Sequence, residues 1–225
     1  MPGYIIHLAH GMNIISELEK KNFKIDNDWK NRFLTGILLP DTKITGSKKE
    51  SHFWNEKSIP LLARKPDISL FLKKYKNKSD NPIVMGYYAH LLLDVHFIDD
   101  YWADEFEFYN KNDEIEDIFD KVTYVKIKNT KETVPIKQFL SIDYYYGDYS
   151  KTNEYYIQKY NIRFPDMIFY ENPIEEVDIK DMRYVFDNLN EYCIGGSVED
   201  VEKLKVFNLA KLDDIIEKNT DIFEL

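Results

Sequence analysis

Residues 82–99 constrain the fold of this chain more than any other segment. Between Pro82 and Phe97 the side chains are mostly apolar or aromatic, and within that run stand His90 and Asp94. Asn81 can cap a helix here, and Pro82 falls where its missing N–H costs nothing. The segment therefore reads as a largely buried helix. An ionised carboxylate in such a helix is costly unless it is paired or coordinated. His90 and Asp94 are four residues apart and share one face, and Gly86, a turn earlier, leaves room there for another segment or a metal. A buried His–Asp hydrogen bond and a metal site both satisfy this spacing.

The other histidines favour the second alternative. All 5 histidines, His7, His10, His52, His90 and His96, lie in the first part of the chain. Imidazole is the commonest metal ligand, and beside carboxylates it suits a borderline cation such as zinc. Around His7 the apolar residues Ile6, Ile14, Ile15 and Leu18 repeat with helical period over residues 4–19, placing His7, His10, Gly11 and Ile14 on one face. A second helix over 28–38 stops at Leu39-Pro40-Asp41, because proline disfavours helix at the residue before it. Asp41 is then an oxygen donor on a rigid corner, or an ordinary turn aspartate. His52, in Ser51-His52-Phe53, follows a polar loop at 42–51 that carries Lys43, Lys48 and Lys49, and a short helix is expected from about His52. Lys48 and Lys49 can steer an anion toward the site or simply be solvated.

Downstream, the stretch from Asp99 to Asp120 is strongly acidic and reads as a solvated helical face. Thr123, Val125 and Ile127, then Val134 and Ile136, alternate across a turn at 129–132, which predicts a β-hairpin over about 122–137. A tyrosine-rich stretch at 144–160 packs a core or walls a pocket. An irregular segment at 161–178 follows, then helices at 179–192 and 198–218, the second opened by a capping box of Ser197 and Asp200. The expected fold is mainly α, a multi-helix bundle with a small hairpin insertion. We read 1–225 as one domain: a metal-binding helical part at about 1–110, the hairpin, and a C-terminal helical part at about 140–225.

The bulk properties narrow the function classes. A net charge of −10 lacks the basic field expected of a duplex-binding protein. The single cysteine, Cys193, excludes an internal disulfide framework and fits a reducing compartment. No basic n-region opens the chain, and no apolar run approaches the roughly 18 residues of a membrane span. A cytoplasmic protein is expected. The chain has no G-x-S-x-G elbow, P-loop or G-x-G-x-x-G run to support serine hydrolase, NTPase or dinucleotide chemistry.

Taken in order, Met1-Pro2…His7, Gly36-Ile37-Leu38-Leu39-Pro40-Asp41, Ser51-His52-Phe53 and Gly86-Tyr87-Tyr88-Ala89-His90-Leu91-Leu92-Leu93-Asp94 resemble the zinc-dependent phospholipase C family. The related fungal single-strand-specific zinc nucleases have a similar order. The resemblance covers roughly residues 1–100. It implies a coordination sphere of Asp41, His52, His90 and Asp94, with His7 joining a second ion that Asp94 bridges. A Pro2 amine, freed by removal of Met1, would be a further ligand. The pattern departs after Asp94: His96 would point about 200° away on a continuous helix, and no later histidine exists. One zinc-like ion, or two, is therefore expected rather than three, with iron or manganese also compatible. The implied reaction is hydrolysis of a phosphate ester, a small molecule or a lipid head group, by a metal-activated water that Asp41 orients or deprotonates. A non-catalytic metal-binding relative is the alternative reading.

Overall fold

A computed structural model describes residues 2–42 and 48–218. Met1 and Lys43 lie outside the described residues, as does half of the loop at 42–51. The chain is mainly α, with one small antiparallel sheet. In order, the elements are α1 (Tyr4–Lys20), α2 (Asn27–Leu38), α3 (Lys48–Ser51), α4 (Ile68–Tyr75), α5 (Pro82–His96), α6 (Ala103–Glu105), β1 (Phe106–Tyr109), β2 (Tyr124–Ile127), β3 (Glu132–Pro135), α7 (Ile136–Phe139), α8 (Tyr145–Lys159), α9 (Met182–Tyr192) and α10 (Leu209–Glu217). None of the described helices is long and apolar enough to cross a membrane.

Helix α5 starts as its sequence dictates: the Asn81 side chain accepts the Ile83 N–H, and Pro82 opens the first turn. It is central to the core, burying ten of its residues, among them His90 and Asp94. Helix α2 lies directly against it. A Cβ at Gly36 would collide with the Ile83 carbonyl, and one at Gly86 with the Phe33 carbonyl, so each helix has its glycine where the other's backbone passes. The room that Gly86 leaves is filled by this helix and not by an ion.

Several elements differ from what the sequence suggests. The acidic stretch is not one helical face. Past His96 the helix widens into a π-type turn, Phe97–Trp102, and after the short α6 the chain becomes strand β1. Phe106 and Phe108 pack against Trp102 and Phe139, and this aromatic burial outweighs the acidic residues around it. The hairpin β2–β3 forms as expected but is two-thirds of a sheet in the order β1-β2-β3, with Phe106 opposite Ile127 and Val125 opposite Val134. The short helix near His52 ends there rather than beginning there.

The last expected helix is broken. A short 3-10 helix, Val198–Lys203, opens with the capping box of Ser197 and Asp200, and α10 begins only at Leu209. Between them Asp148, fully buried on α8, accepts the backbone N–H groups of Lys205, Val206 and Phe207 at 2.9, 2.6 and 3.0 Å. Those amides point at a carboxylate instead of continuing a helix.

Candidate metal centre

Four elements deliver the site. Helix α1 carries His7; the 3-10 turn Leu39–Thr42, where Pro40 ends α2, carries Asp41; the end of α3 carries His52; and α5 carries His90 and Asp94. All five side chains are buried, the histidines and Asp94 at 0–1% exposure and Asp41 at 9%. His52 is set by its neighbours in Ser51-His52-Phe53. Phe53 adopts φ 51°, a left-handed conformation that a bulky residue holds only when its surroundings enforce it. Here its ring is gripped edge-on by Phe71, Tyr75 and Tyr87. The Tyr87 hydroxyl donates to the Ser51 carbonyl.

The ring nitrogens have assigned roles. His90 Nδ1 lies 2.8 Å from the Ile37 carbonyl, which can only accept, so Nδ1 carries a proton and Nε2 of the neutral ring presents a lone pair. Ser51 Oγ lies 3.0 Å from His52 Nδ1, which leaves His52 Nε2 as the ring nitrogen that faces the carboxylates. Such outer partners fix the tautomer and orientation of metal-binding imidazoles.

The free atoms converge. His7 Nε2 is 3.5 Å from Asp94 Oδ1, while His90 Nε2 and His52 Nε2 are 3.6 and 3.8 Å from Asp94 Oδ2. His52 Nε2 is also 3.5 Å from Asp41 Oδ1. Two atoms each roughly 2.1 Å from one tetrahedral ion stand about 3.4 Å apart, close to these separations. Moreover, both nitrogens of His7, Nε2 of His52 and His90, and both oxygens of Asp94 are buried without a hydrogen-bond partner. Buried polar atoms are rarely orphaned, and an orphaned carboxylate is costlier still. Two groups, His7/His90/Asp94 and Asp41/His52/His90, can each hold a metal ion.

The electrostatics suit a cation. Burial, then the neighbouring His90, push His7 down to about 4, and burial likewise lowers His52, so both are neutral near pH 7 and competent to ligate. Burial opposes ionisation of Asp94, but His90 and His7 hold it well below the usual carboxylate range. Asp41 is pushed up by burial and down further by Lys48 and His52, with the net direction downward. Lys48 Nζ sits 2.5 Å from Asp41 Oδ1. Burial works against the Lys48 ammonium, yet Asp41 raises its pKa above the ordinary value.

Above the site lies a cleft of about 560 Å³, lined by Asp41, Lys48, Trp54, Arg64 and Trp102, with Tyr145, Tyr146 and Tyr149 of α8. Part of the tyrosine-rich stretch therefore walls a pocket, while Tyr156 packs the core. Pro2 lines the same cleft. Trp54 and Arg64 carried no sequence signal; the nearest hint was Trp54 directly after Ser51-His52-Phe53. The remaining candidates fall elsewhere. His10 Nδ1–H donates to the Ile216 carbonyl at 2.9 Å and ties α1 to α10. His96 pairs with Asp100 at 2.9 Å, Lys49 with Glu56, and Asp99 with Lys65. Asp148 is occupied with the 205–207 amides and with Lys151. Comparison with models of protein families, with curated proteins and with solved structures found no match, and the family resemblance rests on the ordered motif residues alone.

Proposed function

We propose that this chain is a metal-dependent hydrolase of phosphate esters, similar in chemistry to the zinc-dependent phospholipases C, with His7, His52, His90 and Asp94 holding zinc or a similar ion and Asp41 at its edge. The observation that carries this reading is the set of buried, unpartnered nitrogens and oxygens converging around Asp94 beneath a cleft. The donor chemistry, imidazole with carboxylate, fits zinc, and also iron or manganese. When bound, such an ion acidifies water toward neutrality and draws electron density from a phosphoryl oxygen.

The chain's own residues supply the rest. Asp41 is the most accessible of the five ligand candidates and lines the cleft, so its carboxylate is the group able to orient an attacking water. Lys48 and Arg64 give the cleft positive charge for an anionic ester. The aromatic wall of Trp54, Trp102, Tyr145, Tyr146 and Tyr149 excludes water from one side and offers apolar contact to the alcohol portion of a substrate. The test is turnover of bis(p-nitrophenyl) phosphate and p-nitrophenyl phosphate by metal-loaded protein. Hydrolysis that a chelator abolishes and zinc restores supports the reading. Stoichiometric metal without turnover of either ester would leave a metal-binding module and contradict catalysis.

A further inference from the structure

The two three-residue groups share His90, and that sharing has a consequence. With Nδ1 committed to the Ile37 carbonyl, His90 has one lone pair, on Nε2, and can serve one ion. Lys48 Nζ already faces Asp41 Oδ1, so His90 serves the ion beside His7 and Asp94, and a second ion would have to draw on Asp41 and on His52, which would then leave the first. Their facing atoms are Asp41 Oδ1 and His52 Nε2, 3.5 Å apart, and Lys48 Nζ is already 2.5 Å from that same oxygen. A zinc ion coordinated by Oδ1 at roughly 2.2 Å would lie within about 5 Å of a fixed ammonium. The site is half-buried at Lys48 and nearly closed at Asp41 and His52, so water screens this repulsion poorly. No other lysine or arginine lies within ion-pair distance of Asp41 or Asp94 among the described residues.

We propose that Lys48 is a built-in cation standing where a second metal ion would otherwise bind, so that the chain holds one ion beside Asp94 and presents the Lys48 ammonium, from the Asp41 side of the cleft, to the phosphoryl oxygens of its substrate. This rests on the metal-dependent reading above. It makes Lys48 a specificity-determining residue, because a lysine offers charge and hydrogen bonds to an anion but cannot polarise a coordinated water as a metal does.

The experiment is zinc titration by calorimetry, with elemental analysis of the desalted product, on the wild-type chain and on Lys48→Met and Lys48→Arg. Lys48→Met removes the charge from a half-exposed position and keeps the length of the side chain; circular dichroism confirms that each variant is folded. One zinc in the wild type and in Lys48→Arg, with two in Lys48→Met, is the expected result. Inorganic phosphate, titrated into each form loaded with a single equivalent of zinc, should bind Lys48→Met at least tenfold more weakly than Lys48→Arg. Two ions in the wild type, or one ion in Lys48→Met with unchanged phosphate affinity, would overturn the proposal while leaving metal dependence intact. No zinc in any of the three would overturn both.

Discussion

The imidazoles of His7 and His90 stack face to face, their centroids 3.7 Å apart and their planes within 4°, although one comes from α1 and the other from α5. Each turns a nitrogen toward a different oxygen of Asp94. Parallel rings at this distance repel if both are protonated, so the stack disfavours a doubly charged pair, and a cation likewise requires an unprotonated nitrogen from each imidazole that binds it.

Asp94 is the hub of this cluster. Asp94→Ala should reduce bound zinc from about one ion per chain to near zero, and His90→Ala should do the same. His96→Ala removes a side chain that faces Asp100 instead, so it should retain the metal and cost at most about 1 kcal/mol. Zinc content of the three desalted variants checks this. Loss of metal in His96→Ala with retention in Asp94→Ala would place the ligands on the wrong face of α5.

Ser51 touches no ion candidate directly, yet it fixes the His52 ring through Nδ1. Ser51→Ala should therefore weaken zinc binding by roughly ten- to a hundredfold. Competition with a chromophoric chelator measures this, and unchanged affinity would remove Ser51 from the site.

The crossing of α2 and α5 leaves no space at either glycine. Gly86→Ala should destabilise the fold by at least about 1–3 kcal/mol, the range of ordinary overpacking, because the obstruction is the Phe33 backbone rather than a side chain that can turn aside. Urea denaturation of the chelated protein isolates this effect from metal binding.

Asp148 gives the opposite dissociation. Asp148→Ala strands the buried amides of Val206 and Phe207 and the part-buried amide of Lys205, and should cost roughly 3 kcal/mol, with zinc stoichiometry unchanged. Asp148→Asn keeps an acceptor and should cost less. A drop in zinc content of the folded Asn variant would show that Asp148 serves the site after all.

Much of this was legible in the sequence, and what was not has identifiable causes. Asn81-Pro82 and the apolar run marked α5 because capping and burial are local signals. Pro40 marked the end of α2, and so the position of Asp41, for the same reason. The ordered spacing of His7, Asp41, His52, His90 and Asp94 named side chains that the fold brings together. Strand β1 was hidden because four residues, Phe106–Tyr109, sit in an acidic stretch and owe their conformation to Trp102 and Phe139. The break before α10 was hidden because its cause, Asp148, is 57 residues from Lys205. The Lys48–Asp41 pair had no periodic signature at all.

If the ion is bound by the folded chain and not the unfolded one, removing it must cost stability. At free zinc a hundredfold above Kd the difference is ~2.7 kcal/mol, so a chelator should lower Tm measurably and excess zinc should restore it. Asp94→Ala should show no zinc-dependent shift.

Elemental analysis of the wild-type chain, purified with metal supplementation and desalted, tests the central claim most directly. About one zinc-like ion per chain is the result this account predicts, held by the buried atoms of His7, His52, His90 and Asp94 that otherwise have no partner. A folded chain carrying no stoichiometric transition metal would contradict it.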